Sequence, residues 1–299
     1  MTEIEKYLKE YLEYLQIEKN RSPKTKSVYK RCLEKYIAFA HIQKPEDITN
    51  ESVRTFRVHL AEDTELKRNT QAYYIISIRN FLKYLIKRDQ KVMSPEKIEL
   101  PQMPKRQIEI IEYTDLERLL AAPKGSDIKI LRDRAILETL FSTGLRVSEL
   151  CALNRQINLD RGELTVRGKG GKLRIVFFSE GTKKAIKEYL SARGDIDEAL
   201  FVSFSKSKPP KMIGRITPRS IQRLIAFYAK AAGIPRKVSP HTLRHLFATD
   251  LLINGADLRS VQEMLGHSNI QTTQIYTHLT NQELKDVHKA FHGRRRDEE

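Results

Sequence analysis

Residues 162–178 read GELTVRGKGGKLRIVFF, and their pattern differs from that of the sequence on either side. Two strand-like runs, 162–167 and 173–178, flank a glycine-rich segment. Short apolar runs joined by glycines predict a β-hairpin. The segment is not a P-loop, because it leads into a second strand and lacks the G-x-x-x-x-G-K-[ST] spacing. The sequence therefore predicts a hairpin here and disfavours an ATP site.

The rest of the C-terminal part reads as helix. Thr114 and Glu117 have the spacing of a capping box and predict the start of this helical region. Helices are expected near 128–143, 146–153, 181–193, 218–232, 241–254 and 258–265, with glycines as stop signals. The spacing of Leu284, Val287 and Phe291 predicts one last short helix. We predict a mainly α domain over 111–299 that carries a small hairpin.

The first 90 residues are predicted to form a bundle of four helices. Four segments carry apolar side chains at helical spacing, represented by Ile4 and Leu8, Leu33 and Tyr36, Val53 and Phe56, and Ile78 and Leu82. Ser22 followed by Pro23 marks the start of the second helix. Residues 91–110 then contain three prolines, the basic pair Lys105 and Arg106, and few residues suited to a core. We interpret them as a domain linker that is basic enough to lie along phosphates, the alternative being a solvated connector.

The chain is strongly basic. Its 299 residues include 54 Lys and Arg against 38 Asp and Glu, a formal charge of +16, and its isoelectric point is near 9.7. This balance indicates a polyanionic partner, nucleic acid above all. No apolar run approaches the roughly 18 residues of a spanning helix, which disfavours a membrane protein. The two cysteines, Cys32 and Cys151, are far apart and predict a reducing, cytoplasmic location rather than a disulfide frame.

Two candidate site residues follow the helix that is expected to stop at Gly144. Arg146 lies at the predicted start of the next helix, where an arginine beside backbone N–H groups suits an anion site. Glu149 follows three residues later. The alternative is a surface arginine that pairs with Glu149 across one helical turn. Lys169, at the tip of the hairpin, is a third candidate, although a lysine-rich hairpin is most often only a turn.

The segment SPHTLRH, 239–245, supplies His241 and Arg244 on one face of a helix. His241 and His245 have the spacing of zinc ligands, but the glutamate of H-E-x-x-H is absent and no cysteine is near. Metal binding is therefore disfavoured, and His245 is interpreted as a core or supporting histidine. His267 follows a helix-stopping glycine, and Tyr276 comes nine residues later. Taken alone, that tyrosine would be an ordinary core aromatic.

As a set, these residues point to phosphate chemistry. Two arginines, two histidines and a lysine can stabilise charge on a phosphate without a metal ion. The sequence shows no carboxylate cluster of the kind that holds Mg²⁺. A tyrosine hydroxyl can attack phosphorus and hold the bond as a phosphotyrosine ester. Exchange of one phosphodiester for another requires neither water nor ATP.

The motifs together resemble the tyrosine recombinase, or phage integrase, family and are most similar to its Xer group. They are Arg146 in TGLRVSEL, Lys169 in GKG, His241 and Arg244 in SPHTLRH, His267 in LGHS and Tyr276 in QIYTH. The resemblance covers nearly the whole chain. It implies an N-terminal SAM-like DNA-binding bundle and a catalytic domain that form a C-shaped clamp on DNA. It also implies no cofactor and no metal.

The resemblance further implies a role for each residue. Tyr276 would attack a phosphate to form a 3′-phosphotyrosyl link, while Arg146 and Arg244 hold the non-bridging oxygens. His241 would be the general base, and Lys169 the general acid for the departing 5′ oxygen. His267 would donate a hydrogen bond to the same phosphate, Glu149 would brace the site, and Lys172 would contact DNA.

The family's reaction implies a tetramer on two DNA sites, either of one chain or with a paralogue, and a Holliday junction. A translocase activator is a further expectation, as is a last helix that docks on a neighbouring subunit, with docking in cis as the alternative. A type IB topoisomerase and a regulator without catalysis are the rival functions. The target site, and the choice between chromosome-dimer resolution and a mobile element, stay open.

Overall fold

The computed structural model describes residues 1–101, 111–168, 171–207 and 210–266. In these residues the chain is mainly helical and has two small antiparallel sheets. It divides into two compact units, Met1–Arg106 and Gln107–Glu299. Each unit has its own hydrophobic core. The predicted fold class, a helical N-terminal bundle and an α-rich domain with a hairpin, is confirmed.

The described part of the first unit, residues 1–101, contains four α-helices. They are α1 (Glu3–Ile17), α2 (Pro23–Phe39), α3 (Asn50–Glu62) and α4 (Arg68–Lys87). Three of them begin at a hydroxyl cap, in which the side chain of Thr2, Ser22 or Thr49 accepts a backbone N–H of the first turn. The apolar faces meet in a core that includes the aromatic rings of Tyr11 and Phe81, 5.2 Å apart.

The segment that follows α4 contributes more to this core than its composition suggests. A short 3₁₀ turn, Pro95–Lys97, follows the cap at Ser94, and Ile98 is buried in the core of the first unit. Glu96 pairs with Arg79 of α4 at 2.6 Å. Ile98 is thus one of the few residues of 91–110 suited to a core, and it belongs to the core of the first unit. Residues 102–110, with Lys105 and Arg106, lie outside the described residues.

The second unit contains seven α-helices in its described part. They are α5 (Tyr113–Ala121), α6 (Ile128–Thr143), α7 (Val147–Cys151), α8 (Glu180–Ser191), α9 (Pro218–Ala231), α10 (Pro240–Ile253) and α11 (Leu258–Leu265). The capping box predicted at Thr114 is wrong, because the cap position is Glu112, two residues earlier, and α5 has no side-chain cap. Helices α9 and α10 each begin at a hydroxyl cap, Thr217 or Ser239, that is followed by proline.

The predicted hairpin is present. Strands β1 (Glu163–Arg167) and β2 (Leu173–Phe177) pair antiparallel, with Val166 opposite Arg174. A second antiparallel pair, β3 (Val202–Phe204) and β4 (Met212–Arg215), is absent from the sequence prediction. Its strands have only three and four residues. Such short runs give too little alternation to be recognised.

Helix α6 lies at the centre of the second core. Ala135, Ile136, Leu137 and Leu140 are all fully buried, so that apolar contacts surround the helix. The buried hydroxyls of Thr139 and Thr143 each donate to the carbonyl four residues earlier, which satisfies them inside the core. In the described part of the chain, no helix is long and apolar enough to cross a membrane.

Candidate active site

The end of α6 sets the position of the first candidate residues. Gly144 ends the helix in the left-handed conformation, with φ of 56°. A Cβ atom at this position would lie 2.4 Å from Cδ1 of Phe247 on α10. Only glycine combines this backbone conformation with such close packing. The predicted stop is confirmed, and it allows α10 to pack directly against the turn that leads to Arg146.

Arg146 caps the short helix α7 and pairs with Glu149. Its backbone N–H donates to Oε2 of Glu149 at 2.8 Å, and its Nη1 donates to Oε1 at 2.9 Å. Its Nη2 donates to the carbonyl of Gly266 at 3.3 Å. The i, i+3 pair considered as an alternative is therefore present, but Glu149 is buried. This is not a solvated surface pair.

Arg244 is almost completely buried on α10, with 4% of its surface exposed. Its Nη1 donates to the carbonyl of Gly144, and its Nη2 donates to the carbonyl of Leu265. A guanidinium ion can be buried at modest cost only where hydrogen bonds replace its water. The two carbonyls supply part of that replacement and hold the side chain between the ends of α6 and α11.

A third arginine, Arg174 of β2, completes the cluster. Its Nη1 and Nη2 donate to the two carboxylate oxygens of Glu149 at 3.0 and 2.7 Å. Its Nε donates to the carbonyl of Met264 at 2.9 Å. A bidentate pair of this type is the strongest arrangement of arginine with a carboxylate. Arg174 thus links the hairpin to α7 and to the end of α11.

The three arginines meet at the C-terminal end of α11. Three consecutive carbonyls, of Met264, Leu265 and Gly266, accept hydrogen bonds from Arg174, Arg244 and Arg146 respectively. The last carbonyls of a helix have no partners inside the helix and carry partial negative charge, so they attract cations. We name this set the arginine cluster. The three carbonyls that it contacts belong to the residues directly before His267 in the chain.

Glu149 neutralises part of this charge. Its burial alone would raise the pKa of the carboxyl group. Hydrogen bonds from Arg174 and from the backbone of Arg146 outweigh the burial and hold the pKa of Glu149 at about 2. The carboxylate is therefore ionised at neutral pH and stays between two guanidinium groups.

Two histidines lie on the same helix as Arg244. His241, in the first turn of α10, is exposed. His245 is half-buried, and burial, together with the nearby His241 and Arg244, lowers its pKa to about 4. It is therefore neutral at pH 7. Among the described residues, no group of three or more His, Cys, Asp or Glu side chains could hold a metal ion.

Two known family domains match most of the chain. Residues 109–283 match the phage integrase family, and residues 8–89 match the phage integrase N-terminal SAM-like domain. The chain belongs to the phage integrase family. It is a tyrosine recombinase, as its motifs predict, and thus an enzyme that cleaves and rejoins DNA.

Curated relatives place this recombinase in the Xer group. It is 35% identical to tyrosine recombinase XerC of Thermodesulfovibrio yellowstonii, over all of both chains. It is 39% identical to XerC of Pelobacter propionicus, covering 95% of this chain and 94% of the relative. With XerD of Halalkalibacterium halodurans the identity is 35%, over 98% and 100% of the two chains. Similarity to both XerC and XerD does not assign this recombinase to either type.

Solved structures give the same fold. The crystal structure of XerA recombinase aligns with a TM-score of 0.53 at 33% identity, covering 97% of this chain and 99% of XerA. XerH bound to its difH substrate in a post-cleavage complex aligns at 0.71 and 22% identity, covering 94% and 82% of the two chains. A lambda integrase dimer bound to a core site aligns at 0.70 and 18% identity, covering 91% and 97%. At these lower identities the second and third likenesses concern the fold alone.

The structure brings together only part of the predicted site of this recombinase. Arg146, Glu149 and Arg244 are joined through the arginine cluster, and His241 lies on the helix of Arg244. Lys172 is exposed beside the start of β2. Three predicted residues, Lys169, His267 and Tyr276, lie outside the described residues.

Sequence reasoning missed Arg174, although a signal for it exists. Residues of β2 alternate between exposed and buried, and Arg174 occupies a buried position on the same face as Val176. A charged residue at a position that alternation assigns to the core is unusual and demands a partner. Here the partner is Glu149, which the recombinase motif already contains.

Proposed function

We propose that this recombinase cleaves a specific DNA site with Tyr276 as nucleophile and with Arg146 and Arg244 as the phosphate-binding residues. The tyrosine oxygen attacks phosphorus, a 3′-phosphotyrosyl ester forms, and the 5′ oxygen departs. One observation carries the proposal. Arg146 and Arg244 donate hydrogen bonds to the carbonyls of Gly266 and Leu265, the two residues that precede His267. Two guanidinium groups this close suit the two non-bridging oxygens of one phosphate.

The remaining roles concern protons and hydrogen bonds. We propose that His241 accepts the tyrosine proton and that Lys169 donates a proton to the departing 5′ oxygen. His267 donates a hydrogen bond to the phosphate. His241 precedes Arg244 by three residues on α10 and is exposed, so a substrate can reach it. Glu149 holds Arg146 in place through the bonds described above.

Substrate binding is proposed to involve both units. The N-terminal bundle (residues 1–90), the linker (91–110) and the catalytic domain (111–299) would all contact one duplex. The formal charge of +16 supports a large phosphate-binding surface. Lys105, Arg106 and Lys172 are the proposed contacts of the linker and the hairpin, and Lys172 is exposed as such a role requires.

The biological setting is proposed from the Xer relatives. Two DNA sites would be joined in a tetramer, of this chain alone or with a paralogue, and strands would be exchanged through a Holliday junction. The helix predicted around Leu284, Val287 and Phe291 lies outside the described residues. It would dock on a protein surface, because a helix this short is unstable alone, and the family resemblance favours a neighbouring subunit over docking in cis. Recombination would take place in the cytoplasm. It would serve chromosome-dimer resolution, with or without a translocase, or a mobile element.

The experiment is a covalent-adduct assay on nicked DNA that carries the recombination site. The wild-type protein should become joined to the 3′-phosphate at the scissile position, and the short fragment between that position and the nick should be released with a 5′-hydroxyl, in EDTA as well as in Mg²⁺. The variant Tyr276→Phe lacks only the nucleophilic oxygen, so it should bind the same DNA and form no adduct. An adduct that persists in Tyr276→Phe, or that disappears in EDTA, would contradict the proposal.

A further inference from the structure

Arg174 occupies the point where three segments of the catalytic unit meet. Through its two Nη atoms it contacts Glu149 of α7, and through Nε it contacts the carbonyl of Met264 at the end of α11. The residue itself belongs to β2 of the hairpin. Each of these segments adjoins one residue of the proposed chemistry. Glu149 holds Arg146, Lys169 follows the end of β1, and His267 follows α11.

The contacts of Arg174 leave little room for movement. Its side chain and that of Glu149 are each only 6% exposed. With both Nη atoms on the carboxylate and Nε on a carbonyl, the guanidinium plane is fixed in three places. Lysine has a single ammonium group and cannot reproduce this fork. The geometry therefore requires arginine and not simply a positive charge.

Two glycines show how closely the neighbouring segments approach this side chain. A Cβ atom at Gly266 would lie 3.0 Å from Cδ of Arg174. A Cβ atom at Gly168 would lie 3.2 Å from its Nη1 and 3.5 Å from Oε1 of Glu149. Gly168 precedes Lys169, and Gly266 precedes His267. Backbone positions next to both candidate residues are thus packed on Arg174.

We propose that Arg174 is a positioning residue for strand cleavage, which sets the hairpin and the end of α11 against Glu149 so that Lys169 and His267 meet the same phosphate as Arg146. This inference rests on the roles proposed above for those three residues. Arg174 itself does not touch the substrate, because it is buried between Glu149 and Met264. A misplacement of about 1 Å at the reacting groups can slow a reaction on the order of 10²-fold.

The test compares cleavage of ordinary DNA with cleavage of DNA that has a 5′-bridging phosphorothiolate. Sulfur leaves without a proton, so this substrate does not depend on the general acid. The variant Arg174→Lys keeps the charge and loses the fork. We expect it to bind DNA normally and to cleave ordinary DNA on the order of 10²-fold more slowly than the wild type. On the phosphorothiolate, its deficit relative to the wild type should be at least tenfold smaller.

A matched control removes the same kind of side chain elsewhere in the unit. Arg193 is also buried, pairs with Asp195 and donates to the carbonyls of Ala199 and Leu200. Arg193→Lys should lower the melting temperature comparably but leave the ratio of the two substrate rates as in the wild type. If Arg174→Lys shows the same ratio as Arg193→Lys, Arg174 is only structural and the proposal is wrong.

Two further variants distinguish a failure of the inference about Arg174 from a failure of the role proposed for Lys169. Glu149→Gln retains the size of the side chain and removes its charge. It should change the ratio of the two substrate rates in the same direction as Arg174→Lys, and it tests the proposal if Arg174→Lys folds poorly. An unchanged ratio in a folded Glu149→Gln protein would overturn the positioning role. Lys169→Ala tests the underlying assignment. If phosphorothiolate does not restore its cleavage, the proposed general acid is wrong. If it does so for Lys169→Ala and not for Arg174→Lys, only the inference about Arg174 fails.

Discussion

The guanidinium group of Arg244 donates a hydrogen bond to the carbonyl oxygen of Gly144, the residue at which α6 ends. The bond joins the end of the central helix to α10, 100 residues later in the chain. Gly144 also has no room for a Cβ atom against Phe247 of α10. The position of a proposed phosphate-binding arginine therefore depends on a glycine that has no chemical role of its own.

Gly144→Ala should destabilise the protein and slow cleavage. The added Cβ atom would lie 2.4 Å from the Phe247 ring, and the residue would keep a left-handed φ of 56°. A non-glycine residue in a sparsely populated backbone region costs about 1–3 kcal/mol, and the steric overlap adds to this. Urea denaturation measures the loss. Gly255→Ala is the control, since Gly255 has φ of 89° but nothing within 4 Å. Equal losses in both variants would show that the contact with Phe247 is unimportant.

Arg146→Ala and Arg244→Ala should each slow strand cleavage on the order of 10²–10³-fold, the effect of removing one preorganised charge stabiliser. Their effects on stability should differ. Arg244 is buried and supplies two backbone carbonyls with donors, whereas the side chain of Arg146 is 27% exposed. Arg244→Ala should therefore lower the free energy of unfolding more than Arg146→Ala does. Single-turnover cleavage and urea denaturation of the same samples would check both statements, and a variant with wild-type cleavage would contradict the first.

His245 should make the protein less stable in mild acid. Burial, His241 and Arg244 lower its pKa from 6.5 to about 4, so the unfolded chain binds a proton that the folded protein excludes. Stability due to the neutral imidazole is complete above pH 6.5 and is lost as pH falls towards 4. Partial exposure limits the effect to about 1 kcal/mol between pH 7 and 5. His245→Gln should lose correspondingly less stability over this interval. The pKa of Glu149 is lowered from 4.5 to about 2, so the stability due to its carboxylate is lost only as pH falls from 4.5 towards 2.

Binding to duplex DNA should weaken steeply with salt. A chain with a charge of +16 that contacts phosphates along a duplex releases many counterions. We expect the plot of log K against log salt concentration to have a slope of several negative units, measured by fluorescence anisotropy. A slope near −1 would indicate a single phosphate contact and would contradict binding through both units.

The sequence predicts the helices of this recombinase well where capping residues mark them. Ser239 with Pro240 begins α10, and Gly144 and Gly266 end α6 and α11, because local backbone chemistry decides these points. The capping box at Thr114 fails, since the spacing alone does not ensure that the helix begins there. The motif residues Arg146 and Arg244 stand out in the sequence as candidates, and their phosphate-binding role stays a prediction. Arg174 was missed, because the alternation in β2 indicates only that it is buried, and its importance comes from contacts with Glu149 and Met264, which are distant in the chain.

We propose that the hydroxyl oxygen of Tyr276 attacks the scissile phosphate while Arg146 and Arg244 hold that phosphate. The most direct measurement is mass spectrometry of the covalent adduct, after digestion of its DNA with nuclease and of its protein with trypsin. We expect a nucleotide 3′-phosphate on the hydroxyl of Tyr276, in the wild-type protein and, at lower yield, in Arg146→Ala and Arg244→Ala. A nucleotide on any other residue, or linked through a 5′-phosphate, would contradict it.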